Sequence, residues 1–149
     1  MPAPSSLPAP SEACACGRLR RATRALTQLY DDAMAPSGLR VTQFSLLRTL
    51  RREGPKPMTA LASALLLDRT ALTRNLEPLI ERRWVEVICG EDARRRTVSL
   101  TAAGERALRQ ATPHWQRAQR AVAARVGAKK LEALIDTLHE LESLHPALE

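Results

Sequence analysis

The segment Leu67-Asp68-Arg69-Thr70-Ala71-Leu72-Thr73-Arg74-Asn75-Leu76 concentrates side chains able to read the edge of a base pair. The guanidinium of Arg69 or Arg74 can bond guanine O6 and N7 together, the amide of Asn75 can pair with adenine, and Thr70 or Thr73 can meet a thymine methyl or a phosphate. A second cluster, Glu91-Asp92-Ala93-Arg94-Arg95-Arg96, sets three guanidinium groups side by side. Their mutual repulsion calls for compensation, by phosphates or a narrow minor groove, with Asp92 holding Arg94 extended, or by an internal Asp92 to Arg94 ion pair in a solvated turn. A third cluster is Cys14-x-Cys16 followed by Arg18 and Arg20. Cations and a helix N-terminus favour thiolate there, while the plainer alternative is two small apolar residues at a helix end.

These groups need elements to hold them. Asp68 is placed to cap a helix from Arg69 to about Arg83, with Leu72, Leu76, Leu79 and Ile80 inward and Arg69, Thr70, Thr73, Arg74 and Glu77 outward. An ordinary solvated helix face is the alternative to base readout. Before it, Leu19, Ala22, Leu26, Leu29 and Ala33 recur at helical spacing up to Pro36-Ser37-Gly38. Thr42 is expected to cap a second helix with Phe44, Leu47 and Leu50 inward, ended by Gly54-Pro55, and Thr59 a short one from Ala60 to Leu66. After Arg83, Trp84 to Cys89 and Thr97 to Leu100 read as a two-stranded hairpin, with Cys89 expected to be buried. Thr101 should cap a helix reaching about Val126 with a kink at Pro113. Beyond Gly127 a last helix places Leu131, Leu134, Ile135, Leu138, Leu141 and His145 on one face, near a heptad seam, to be covered by the first helix or by a second copy.

The chain has 149 residues, 44% hydrophobic but only 3% aromatic, and a net charge of +7. The expected fold is mainly α with a small β-hairpin wing: a winged helix-turn-helix plus N- and C-terminal helices, which are dimerisation helices if a second copy covers the seam. The expected units are a disordered Pro-rich lead-in at 1–11, a dimerisation helix at 12–41, a DNA-binding lobe at 42–104, and dimerisation helices at 105–149. The charge locates function poorly: residues 58–104 carry 7 basic and 6 acidic groups, against 9 and 4 in residues 1–57. Arrangement rather than bulk charge marks the candidate surface. No apolar run reaches the roughly 20 residues of a membrane span and no signal peptide is evident, so no membrane partner and a cytoplasmic location are expected. Three cysteines argue against a disulfide framework. No G-x-S-x-G, H-E-x-x-H or phosphate-cradling Gly-rich loop is present, so no enzyme and no cofactor are expected. His139 and His145 with Glu142 lack the spacing of a helical metal pair, and no metal is expected. A helical protein-interaction module would explain the Leu-rich helices but not the outward Arg/Thr face beside an Arg-tipped hairpin.

Asp92-Ala93-Arg94 followed by Val98-Ser99-Leu100-Thr101-Ala102-Ala103-Gly104 resembles the wing signature of the MarR family of bacterial transcriptional regulators, D-x-R and then L-T-x-x-G. Leu67 to Leu76 resembles that family's recognition helix, although Pro78 departs from it and would bend or shorten the second half. The resemblance spans about residues 14–145. It implies a homodimer in which the first and last two helices interlock and two winged lobes meet a pseudo-palindromic double-stranded operator, with repression as the outcome. DNA contacts are expected from Arg69, Thr70, Thr73, Arg74, Asn75, Asp92, Arg94, Arg95 and Arg96.

Such regulators are commonly released by a small aromatic acid or phenolic inducer bound between the dimer helices and the lobe. The resemblance places Arg21, Arg24, Tyr30, His114 and Trp115 on helices bordering that cavity, and a guanidinium with an aromatic neighbour suits a carboxylate. The alternative switch is oxidation of Cys14 or Cys16. Counted back from Gln43 without a gap, Cys16 resembles the sensing position of the organic-hydroperoxide branch, and Tyr30 matches one of its tyrosines. Arg20 and Val41 stand where the others would be.

Overall fold

The computed structural model describes residues 14–92 and 94–148. The expected lead-in at 1–11, the start of the first helix near Glu12 and Ala93 of the wing signature lie outside the described residues. Helix α1 spans Ala15–Met34, and its N-cap is Cys14, whose Sγ accepts from Gly17 N–H at 3.4 Å. A short 3₁₀ turn at Ala35–Ser37 ends in Gly38, where φ of +71° suits glycine and reverses the chain. Helix α2, Val41–Glu53, is capped differently from expectation. Thr42 lies inside its first turn; Arg40 occupies the N-cap position, its N–H donates to Gln43 Oε1 at 3.0 Å, and Asp31 of α1 accepts from Val41 N–H at 2.8 Å. A carboxylate at the positive end of α2 thus ties it to α1.

Helix α3, Met58–Ala64, starts with Pro57 rather than Thr59 at the N-cap, and α4, Arg69–Glu81, starts at Asp68, whose Oδ1 accepts from Ala71 N–H at 2.8 Å. The helix continues through Pro78 to Glu81, two residues short of the expected end. Both helices finish without glycine in the left-handed position: Leu66 at φ +51° follows α3 and Arg83 at φ +57° follows α4. The bonds Leu67 N–H to Ala62 O and Trp84 N–H to Leu79 O, both 2.9 Å, close the same kind of cap at each end.

The expected hairpin is a three-stranded antiparallel sheet. Strands β2, Val85–Cys89, and β3, Arg96–Leu100, pair as foreseen, and β1, Lys56–Pro57, adds to the free edge of β3 with Lys56 opposite Val98. Proline is tolerated on such an edge. Lys56 also forms a 2.8 Å ion pair with Glu53, which Arg52 holds from the other side at 2.7 Å. Hydrogen bonds from these two cations keep the Glu53 carboxyl below its ordinary pKa. Two burial expectations fail here. Ile80 is 41% exposed because it sits about 100° round the helix from Leu79, which takes the core side of the last turn of α4, and Cys89 is exposed because β2 runs out beyond the lobe.

The core lies inside the winged lobe: Phe44, Leu47 and Leu50 of α2, Leu61 of α3, Leu72, Leu76 and Leu79 of α4, Val85 and Val98 of the sheet, and Leu108 and Ala111 of α5. Helix α5, Ala102–Val126, starts at Thr101, which accepts from Gly104 N–H at 3.0 Å, and runs on through Pro113. Tyr30 hydroxyl donates to Gln119 Oε1, and Arg117 donates to Ala33 O at 2.9 Å, so α1 lies along α5. Burial raises the Tyr30 pKa. Helix α6, Ala128–Glu142, follows Gly127 and buries none of its residues. His145 lies beyond its end, so it does not extend the seam. Leu134 at 40%, Ile135 at 46% and Leu26 of α1 at 39% stay exposed. No described helix is long and apolar enough to cross a membrane.

Candidate nucleic-acid interface

Burial of Leu72, Leu76 and Leu79, at steps of four and three, fixes the rotation of α4 about its axis. Arg69, Thr70, Thr73, Arg74 and Glu77 are consequently exposed on the opposite side. Thr73 Oγ1 donates to Arg69 O at 2.9 Å, which commits its one hydroxyl hydrogen and leaves the oxygen able to accept. Asn75 is set apart from the others. It is half-buried, and its Nδ2 donates one of its two hydrogens to Ala71 O at 2.9 Å, which leaves the other hydrogen and Oδ1 uncommitted.

The wing tip is a built turn. Asp92 Oδ1 accepts from Arg94 N–H at 3.1 Å, Asp92 O accepts from Arg95 N–H at 2.8 Å, and Gly90 N–H donates to Arg95 O at 3.0 Å. Asp92 therefore shapes the backbone rather than neutralising the Arg94 guanidinium. Among the described residues, no carboxylate lies within ion-pair distance of Arg69, Arg74, Arg94, Arg95 or Arg96. Arg69 and the three wing arginines instead line one cleft of about 370 Å³ between α3 and the wing, with Thr59 and Ser63. Four cations lining one cleft, with no carboxylate among its described lining residues, make this a candidate site for phosphate. Thr59 and Ser63 were not among the expected contacts; Thr59 carried a signal, as a hydroxyl near a helix start, that pointed to a cap instead.

The five residues proposed for an inducer do not meet. Arg24 lines a cleft of about 630 Å³ with Cys16, Leu19, Arg20 and Leu141. Trp115 lines another, of about 170 Å³, with Phe44, Arg48, Arg51, Thr112 and Gln116. Its ring stacks on Phe44 with centroids 5.5 Å apart, and the Arg48 guanidinium lies 4.4 Å above it. Tyr30 is engaged with Gln119, Arg21 is exposed on α1, and His114 is half-buried on α5. Cys14, Cys16 and Cys89 are all free and exposed. No group of three or more His, Cys, Asp or Glu that could hold a metal ion occurs among the described residues.

Comparison with known proteins agrees with this geometry. The family model described as MarR family matches residues 37–95, from the turn before α2 to the wing. The transcriptional regulator MosR of M. tuberculosis, solved in complex with DNA, is 40% identical over 89% of this chain and 96% of that one, with a TM-score of 0.80. Wild-type MarR of E. coli without ligand is 25% identical over 84% of this chain and 94% of that one, with a TM-score of 0.66. The HTH-type transcriptional regulator YwoH of Bacillus subtilis is 30% identical over 89 residues, 60% of this chain and 65% of its own, so the chain spans just under two thirds of that relative. A winged lobe joined to long helices on either side is thus matched both in sequence and in shape, and the chain belongs to the MarR family of DNA-binding transcriptional regulators.

Proposed function

We propose that the chain acts as a homodimeric repressor that reads a pseudo-palindromic operator. The observation that carries this reading is the convergence of Arg69 with Arg94, Arg95 and Arg96 beside the exposed Thr70, Thr73 and Arg74 of α4. Phosphate contacts in the cleft, Arg69 among them, fix the register, and Arg74 reads base edges in the major groove. The dimer is supported by the apolar α1 and α6 residues that one chain leaves uncovered. The decisive measurement is a gel shift with the protein's own upstream DNA against random duplex at two salt concentrations. Specific affinity about a thousandfold above random is expected near physiological salt, with both falling steeply as salt rises. Equal affinity for the two duplexes removes the readout, and a stable monomer in equilibrium sedimentation at micromolar concentration removes the dimer.

Release from the operator is assigned to a small aromatic or phenolic acid. The supporting observation is the Trp115 cleft, where the Arg48 guanidinium and the stacked ring offer a carboxylate and an aromatic body their complements. A second reading, oxidation of Cys14 or Cys16, is favoured by a different observation. Both thiols are exposed, Cys14 Sγ caps α1, and Cys16 shares its cleft with Arg20, Arg24, Leu19 and Leu141. Treating the operator complex with an organic hydroperoxide and, separately, with a panel of aromatic acids tells the two apart. Peroxide release that persists in a Cys14→Ser, Cys16→Ser double variant excludes these thiols, and no binder across the aromatic panel excludes the acid.

A further inference from the structure

We infer that Arg82 is a positioning residue that sets the angle at which α4 is presented relative to the arms made by α1 and α5, and so the half-site separation the dimer accepts. This rests on the dimeric-operator reading above. Arg82, Arg83 and Trp84 form the short connector between α4 and β2, and it is held on two sides. On one side the Arg82 guanidinium donates to Gly38 O at 2.7 Å, in the turn that joins α1 to α2. On the other, Thr101 Oγ1 donates to Arg83 O at 2.7 Å and Thr101 N–H donates to Trp84 O at 3.1 Å, at the start of α5.

Arg82 couples the two sides, because the same guanidinium lies 4.7 Å from the centre of the Trp84 ring. Among the described residues it makes no ion pair. Its work is therefore done by the planar fork and the flat face, which a lysine lacks although it keeps the charge. Elsewhere the connector is under backbone tension, since Arg83 occupies the left-handed region without being glycine. Removing the Gly38 tie frees the lobe that carries α4 to turn as one body against α1, with Leu72, Leu76 and Leu79 still packed in the core.

Leverage makes the shift matter. The helix has 13 residues and the tie is at its C-terminal end, whereas Arg69 and Thr70 lie at the other. A helix of that length spans about 20 Å, so a tilt of about 10° displaces its N-terminus by about 3 Å, close to the rise of one base pair. Two lobes held at a fixed tilt accept one half-site separation. Two lobes free to tilt accept neighbouring separations as well.

The experiment uses duplexes selected from a randomised DNA library by the full chain, then rebuilt with the half-sites one base pair closer or farther apart. Affinities of the parent, Arg82→Lys and Arg82→Met are measured on each duplex and on a single half-site, together with melting temperatures. The parent is expected to lose about tenfold or more on either rebuilt duplex, and the two variants less than about threefold, with single half-site affinity kept within about twofold. Variants that discriminate spacing as sharply as the parent overturn the inference. So does a loss of half-site affinity that tracks a lowered melting temperature, because that is damage to the lobe rather than freed tilt. A parent indifferent to spacing refutes the dimeric-operator reading itself, and the inference with it.

Discussion

A chain carrying Gly104→Ala is expected to melt about 10 °C below the parent, a loss of about 3 kcal/mol. The position is in the first turn of α5, where alanine is otherwise the best helix former. Its backbone conformation is ordinary for any residue, so the demand for glycine is purely one of space. A Cβ there would lie 2.0 Å from Trp84 O and 2.7 Å from Leu100 Cδ1. The first is a backbone atom already accepting from Thr101, so it cannot move without opening the junction between α4, β2 and α5. Gly17→Ala is the control, because its nearest neighbour would be Cys14 Sγ at 3.6 Å, ordinary contact. Thermal melting of the two variants side by side checks the argument, and equal melting of Gly104→Ala and parent refutes the close packing described.

Arg74→Ala is expected to weaken binding to a selected operator by about 1–3 kcal/mol, or about 5- to 150-fold, while flattening the preference at the base pair it reads. Its side chain is exposed on the second turn of α4, free of any carboxylate among the described residues. Arg94→Ala separates readout from charge. That residue is on the wing, in the cleft with Arg95 and Arg96, and its loss is expected to weaken all sequences alike and to lower the salt slope by about one. Fluorescence anisotropy on operator and random duplex at two salt concentrations distinguishes the two patterns. Arg74→Ala with unchanged base preference would place readout elsewhere on α4.

The outward face of α4 was legible in the sequence because one carboxylate and three leucines determine it. Asp68 starts α4, and Leu72, Leu76 and Leu79 set its rotation, so the outward residues follow from periodicity alone. Thr101 was equally plain as the start of α5. What escaped depends on partners distant in the chain. The cap of α2 comes from Asp31, ten residues earlier, and β1 is two residues long with a proline, too short to show any alternation. Leu66 and Arg83 end helices in a conformation usually signalled by glycine, so their caps left no mark. Cys89 shows that alternation tells which side of a strand a residue faces but not how far the core extends beneath it. Spacing along α1 and α5 likewise does not say which faces of two long helices end up together within one chain, where Trp115 meets Phe44 and Arg48.

The pairing of Lys56 with Val98 closes the chain into a loop that contains α3, α4 and the wing. A loop pinned at its ends gains little chain entropy when one helix inside it detaches. Detaching α4 would still expose Leu72, Leu76 and Leu79. Local opening of α4 is therefore unfavourable unless the strand pair opens too, so the outward Arg/Thr face of α4 and the sheet form a single cooperative unit in folding. A short edge strand thereby helps to hold the helix that carries Arg69 and Arg74 in one place.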